Sequence, residues 1–178
     1  MPQMPAKKSG FCFRYAVEET EHKGLGVFAR EAIRRGSIVW RYVPGLYVVY
    51  DEASFRAKIA SMTPADIEYE LTHVHGVADF PGCLIRVLDN GVLINHSSRP
   101  TLVTNNATPA TTSLDIQSPR YLDDVAEALL ADRFALVATR DIGIGEEFTN
   151  DYFAEAAEPA YYDELWERYG VREDLLDD

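Results

Sequence analysis

The sequence contains only two cysteines, Cys12 and Cys83. That is too few for a multi-bridge secreted scaffold or a four-cysteine zinc site, and both are read as reduced packing residues. No stretch approaches the ~18 consecutive apolar residues of a membrane span. Lys7 and Lys8 are followed by no apolar run, so no secretory signal is expected and the expected compartment is the cytoplasm, or the nucleus of a eukaryotic cell. Positive charge is scarce, with 17 basic against 29 acidic residues and a net charge of −12. A surface of that sign repels nucleic-acid phosphates and anionic membranes and attracts basic partners. The deficit is concentrated at the end, where residues 151–178 hold ten acids against Arg168 and Arg172. A basic protein or peptide partner is therefore expected, with no direct binding to nucleic acid or membrane. The sequence also lacks a G-x-S-x-G elbow and a phosphate-binding P-loop, and Ser97 directly beside His96 is not a nucleophile-base arrangement.

What remains is 178 residues with 47% apolar and 26% charged content, enough for one ordinary globular domain. Phe11, Phe13, Tyr15 and Val17 alternate with Cys12, Arg14, Ala16 and Glu18, the period of a half-buried strand. Further strands are predicted over 26–29, 37–43, 46–50, 83–88, 101–105 and 134–140, punctuated by glycines. Thr63-Pro64-Ala65-Asp66 predicts a helix over 64–73, and Ser118-Pro119 repeats the device before a helix over 121–132. Tyr161, Tyr162, Leu165, Trp166 and Tyr169 fall on one face of a terminal helix that ends at Gly170. Residues 1–10 read as a flexible arm, 11–153 as the domain with helical inserts at about 52–74 and 119–132, and 154–178 as a C-terminal helical segment. There is also an internal echo. Arg30 to Gly36 resembles Arg140 to Gly145; aligned on their arginines the two spacings differ by one residue, and they suggest two similar strand, turn, strand units.

Three segments carry chemistry. Gly24-Leu25-Gly26-Val27-Phe28-Ala29 matches a dinucleotide fingerprint, but charged residues precede it, Gly36 stops any following helix, and no acid stands ~20 residues beyond the glycines. Asn95-His96-Ser97-Ser98-Arg99-Pro100 sets donors and acceptors beside a proline-fixed turn. That cluster can read a purine edge or an ammonium group, although in isolation a capping turn with a satisfied histidine is the favoured reading. Residues 141–152 read in isolation as a hairpin closing on Tyr152. His73 and His75 have strand-alternate spacing, but only Asp79 and Cys83 stand within reach in sequence; they read as surface histidines and no metal site is expected.

In this order, a glycine pair, then Asn-His-Ser, then Gly-Glu-Glu-Phe-Thr-x-Asp-Tyr resembles the SET-domain protein lysine methyltransferases over roughly residues 11 to 153. The resemblance implies a mainly β fold of several small sheets with a few helices, the SET or β-clip fold. In it the segment after Gly145 threads beneath a loop as a pseudoknot, and S-adenosylmethionine and a target lysine enter a narrow channel from opposite faces. It further implies that Gly24, Leu25 and Gly26 contact the methionine part of the cofactor and that Asn95 and His96 hold its amino group and adenine. Tyr152 is then the catalytic tyrosine, Tyr42 resembles a tyrosine lining the lysine channel, and Asn150 stands where an aromatic residue influences how many methyl groups are added. Ser98 replaces the usual Cys of Asn-His-Ser-Cys, Thr101 stands where Asn often follows Pro, and Val92-Leu93 replace an Arg-Phe pair. The cysteine-rich zinc segment that follows many of these domains is absent from these residues, so Trp166, or else Tyr161 or Tyr162, is expected to close over the adenine. The alternative is a non-catalytic module of the same fold that binds a basic peptide or the cofactor.

Overall fold

The computed structural model describes residues 8–105, 114–152, 154 and 157–171. In chain order the elements are β1 (Tyr15–Glu19), β2 (Leu25–Ala29), β3 (Ile38–Trp40), β4 (Tyr47–Tyr50), α1 (Glu52–Ile59), α2 (Pro64–Leu71), β5 (Val74–His75), β6 (Leu84–Val87), β7 (Asn95–His96), β8 (Leu102–Thr104), α3 (Tyr121–Ala128), β9 (Leu136–Ala138), β10 (Glu147–Asn150) and α4 (Ala160–Tyr169). The strands form three small sheets, ordered β1-β2-β10-β7, β3-β9-β8 and β4-β6-β5, as the mainly β expectation requires.

The first predicted strand is shorter than its alternation. Only Tyr15–Glu19 joins the sheet, while Phe11 makes an isolated bridge to Trp40 and its ring stacks on Phe148 at 5.8 Å. Cys83 is buried as expected, but Cys12 is exposed on this segment, its thiol 3.9 Å from the Gly10 carbonyl. The arm is held sooner than the composition suggests, because the Gly10 amide donates to Asp89 Oδ2 at 2.5 Å. Asp89 also accepts from the Trp40 indole and the Gly91 amide. Thr63 caps α2 through its side chain, with Pro64 in the first turn. Ser118-Pro119 does not cap α3. Arg120 takes the cap position without a side-chain bond, and the Ser118 hydroxyl accepts from the Arg120 amide in the preceding turn.

The internal echo is a local two-fold, in a different alignment from the arginine one. The Ile33 amide donates to the Ile142 carbonyl and the Ile142 amide to the Ile33 carbonyl, at 2.9 and 2.8 Å. Ala29 donates to Glu146 as Ala138 donates to Ser37, and Gly36 donates to Ala138 as Gly145 donates to Ala29. Ala29, Ile33 and Gly36 thus correspond to Ala138, Ile142 and Gly145 at one constant offset, so the spacings are equal. Both turns end on a glycine with positive φ, 78° at Gly36 and 86° at Gly145, where a Cβ would be strained.

The second unit is consequently no isolated hairpin. Its outgoing strand β10 pairs antiparallel with β2, Phe148 opposite Val27, and parallel with β7, Thr149 opposite Asn95 and Asn150 opposite His96. The chain between β7 and β8 clasps it. The Ser97 amide donates to the Asn150 carbonyl, the buried Thr101 amide donates to Thr149 Oγ1 at 3.1 Å, and Thr101 Oγ1 accepts from the Thr149 amide at 2.9 Å while donating to the Glu147 carbonyl. Thr101 therefore fills its place through a partner on the crossing strand.

Two apolar clusters divide the molecule. One lies among the sheets and includes Val27, Trp40, Tyr42, Leu102, Phe134 and Phe148. The other gathers Phe55, Ile59, Ile67, Leu71, Leu84 and the α4 residues Tyr161, Tyr162 and Leu165. Tyr161, Tyr162 and Leu165 of the predicted face of α4 are buried and Trp166 is partly so, whereas Tyr169 is exposed, and Gly170 ends the helix at φ 63°. His75 is no surface histidine. Its Nε2 lies 2.9 Å from the Tyr42 hydroxyl, and burial, with Arg86 adding repulsion, lowers its pKa from 6.5 to about 4.

Two expectations follow. Thr101→Val strips the Thr149 amide and the Glu147 carbonyl of a buried partner and should cost about 1–3 kcal/mol, read as a lower urea midpoint at unchanged slope. For His75 the folded state refuses a proton that the unfolded state accepts below 6.5. Stability should therefore fall as pH drops from 6.5 toward 4 and level off below, by a total of order 3 kcal/mol from this group. His73, also lowered by burial, acts in the same direction. Thermal unfolding of His75→Gln should show a shallower decline over that window; an unchanged slope would contradict the assignment.

Candidate functional site

The first glycine segment is the way out of a hairpin. The Thr20 amide donates to the Gly24 carbonyl at 2.6 Å and the Lys23 amide to Thr20 Oγ1. Gly24 takes a positive φ, Leu25 is exposed, and Gly26 enters β2 buried. A Cβ on Gly26 would lie 2.5 Å from Glu147 Oε1 and 3.0 Å from Asn95 Nδ2. Only glycine lets β2, β7 and β10 approach here.

Asn95 and His96 are the whole of β7. Asn95 Nδ2 donates to Glu147 Oε1 at 2.8 Å and to the Leu25 carbonyl at 3.2 Å. Its two N–H groups are thereby used inside the protein, and Oδ1 accepts no hydrogen bond among the described residues. His96 Nδ1 accepts from the Tyr152 amide at 3.2 Å, which places the proton of the neutral ring on Nε2. The Asp151 carboxylate, 3.9 Å from Nδ1, is too far for a hydrogen bond. The His96 carbonyl accepts from Lys23 Nζ at 2.7 Å.

Tyr152 packs against the His96 ring at 5.4 Å and donates its hydroxyl proton to the Ile94 carbonyl at 2.5 Å. Burial of the hydroxyl, with the Glu147 charge adding to it, pushes its pKa up to about 12, so it stays protonated in neutral solution. The residue as a whole is 39% exposed. Its donor is committed inward, and lone pairs are what Tyr152 Oη offers to anything bound beside it.

Gly24, Leu25, Gly26, Asn95, His96, Asn150 and Tyr152 thus meet where β2, β7 and β10 cross. Two further residues of the expected set have neighbours of their own. Tyr42 is buried in the sheet core, edge-on to Trp40 at 4.7 Å and Tyr47 at 5.2 Å, with its hydroxyl at His75. Trp166 packs in the second cluster beside Tyr162 at 5.6 Å. Tyr162 donates to the Leu71 carbonyl at 2.6 Å, and Arg56 of α1 bridges Glu52 and Glu164 of α4. These contacts anchor α4 to the helical insert. Glu147 and Ile94 belong to the site and were not singled out by their sequence. Glu147 could have been found from strand alternation, which puts it on the same face of β10 as buried Thr149 and opposite to Phe148.

The sequence profile of the SET domain matches residues 24–153. Over 146 residues the chain is 28% identical to the histone-lysine N-methyltransferase SUV39H1 of Xenopus laevis, which covers 82% of this chain and 30% of that protein. Among solved structures it resembles the methyltransferase domain of human histone-lysine N-methyltransferase SETMAR, with a TM-score of 0.52 and 21% identity over 80% of this chain and 45% of that one. It likewise resembles the Neurospora SET domain protein DIM-5, a histone lysine methyltransferase, with a TM-score of 0.50 and 20% identity over 84% of this chain and 55% of that one. The chain thus spans under a third of the curated relative. With the profile covering most of the chain and the motif residues meeting at one crossing, the chain belongs to the SET-domain family.

Proposed function

We propose that this chain transfers methyl groups from S-adenosylmethionine to the side-chain amine of lysine in a basic protein. The observation that carries the reading is that Asn95 and Tyr152 both present acceptor atoms, beside a Lys23 ammonium that donates to the His96 carbonyl. Asn95 spends both amide hydrogens, and Tyr152 its hydroxyl proton, on protein carbonyls and Glu147. What faces a ligand is Asn95 Oδ1 and Tyr152 Oη, with the Glu147 charge close behind. Such a surface suits a ligand bearing an ammonium group and a positive sulfonium. The space beside Gly26 is filled by Glu147, Thr20 and Asn95, which holds these acceptors close against the backbone of residues 24–26. The residues therefore fit the cofactor. Gly24, Leu25 and Gly26 would line its methionine part, Asn95 would accept from its ammonium, and His96 would donate from Nε2 to a ring nitrogen. When bound, S-adenosylmethionine supplies an activated methyl group.

The chain's own task is to align the acceptor amine and keep it neutral. A free lysine with pKa ~10.4 is only ~0.1% neutral at pH 7.4. Burial beside a positive group disfavours its charge. Tyr152, held protonated, supplies no base; it orients the amine and its methyl neighbour through oxygen lone pairs, including weak C–H···O contacts. Asn150, paired with His96, is a short polar side chain near the lysine end and leaves room for a methylated amine to turn. A net charge of −12 supports a substrate with basic flanks by long-range attraction.

Labelled methyl transfer into a mixture of lysine-rich proteins and peptides, with mass-spectrometric location of the label, tests this reading. Label on lysine is expected. Tyr152→Phe should lower kcat by about a hundredfold with the dissociation constant for S-adenosylhomocysteine nearly unchanged. Asn95→Ala should weaken that binding first, by about tenfold. Binding of the cofactor without transfer would instead identify a non-catalytic module, and near wild-type turnover in Tyr152→Phe would remove its assignment.

A further inference from the structure

Resting on the cofactor reading above, we infer that Glu147 is a positioning residue that fixes which face of the Asn95 amide meets the ligand, and so makes the site select for a free α-ammonium group. An asparagine amide can turn over and exchange its donor and acceptor ends with little change in shape. Here the chemistry of the neighbours decides between the two orientations. Nδ2 lies 2.8 Å from Glu147 Oε1 and 3.2 Å from the Leu25 carbonyl, and both partners can only accept. Turned over, Oδ1 would face two acceptors, exchanging two hydrogen bonds for two repulsions. The carboxylate makes this preference strong, since a bond to a charged acceptor outweighs one to a neutral carbonyl.

Glu147 is itself held. Its backbone pairs with Phe28 of β2, and its carbonyl accepts from Thr101 Oγ1 at 3.1 Å. Its Oε1 meets Asn95 Nδ2 directly at 2.8 Å, and Gly26, where a Cβ would come within 2.5 Å of Oε1, leaves room for it. The neighbouring acid shows the contrast. Glu146 turns outward and accepts from Arg140 and the Gly143 amide, closing its own turn. Of the two acids in sequence, only Glu147 reaches the site.

The test compares S-adenosylhomocysteine with S-adenosyl-4-thiobutyrate, the same molecule without its α-amino group, by calorimetry on the whole chain. Wild type should prefer the amino form by about tenfold, the scale of one charge-assisted hydrogen bond. Glu147→Ala should reduce that preference to less than about threefold while leaving affinity for the deaminated ligand nearly constant. Glu147→Gln can still offer an amide oxygen to Asn95 Nδ2, and should keep most of the preference. Equal loss for both ligands in Glu147→Ala would show mere structural support and overturn the inference, as would a wild type indifferent to the amino group. If Glu147→Ala does not fold, the glutamine variant decides: a lost preference with unchanged binding of the deaminated ligand would assign the effect to charge and not to orientation. A wild type that binds neither molecule would instead overturn the cofactor reading itself.

Discussion

The site exists because one short strand has neighbours from three distant parts of the chain. β10 pairs with β2 on one side and with β7 on the other, and the turn after β7 closes on it through Thr101 and Thr149. Every backbone group so used is buried or half-buried, where an unpaired amide or carbonyl costs about 1–3 kcal/mol. The two tight turns around Ile33 and Ile142 deliver β2 and β10 to that crossing in related registers. A slip of one residue in β10 would turn Phe148 out of the core and Glu147 away from Asn95.

From that geometry follows the electrostatic character of the site. Strand pairing brings an amide, a carboxylate, a phenol and backbone carbonyls together, and their mutual hydrogen bonds consume donors faster than acceptors. The remainder at Asn95 and Tyr152 is a pair of acceptor atoms in a partly desolvated place, which suits a positive group, with the Lys23 ammonium held on the His96 carbonyl beside them. Burial, with the Glu147 charge adding to it, raises the Tyr152 pKa to about 12, so the hydroxyl remains a neutral group that orients without taking a proton.

Much of this was legible in the residues and some was not. The strands, the face of α4 and its stop at Gly170 are local patterns, and periodicity and glycine chemistry reported them. The motif order pointed to the fold. What stayed hidden depends on partners far along the chain. Thr101 looks like a lost asparagine until Thr149 is seen opposite it. His75 looks like a surface residue until Tyr42 and Arg86 enclose it. The aromatic face of α4 is readable as a face, but whether it covers a ligand or a helical insert is set by α1 and α2, whose apolar residues claim it. The internal echo is one residue out when aligned on its arginines, because Ala29, Ile33 and Gly36 carry the hydrogen bonds.

Amide hydrogen exchange with and without S-adenosylhomocysteine tests the central claim most directly, because the proposed site belongs to the crossing and not to the helices. Added protection is expected at residues 20–27, 94–97 and 147–152, with little change at α1, α2 and α4. Protection centred on α4 around Trp166, with none at the crossing, would contradict the account.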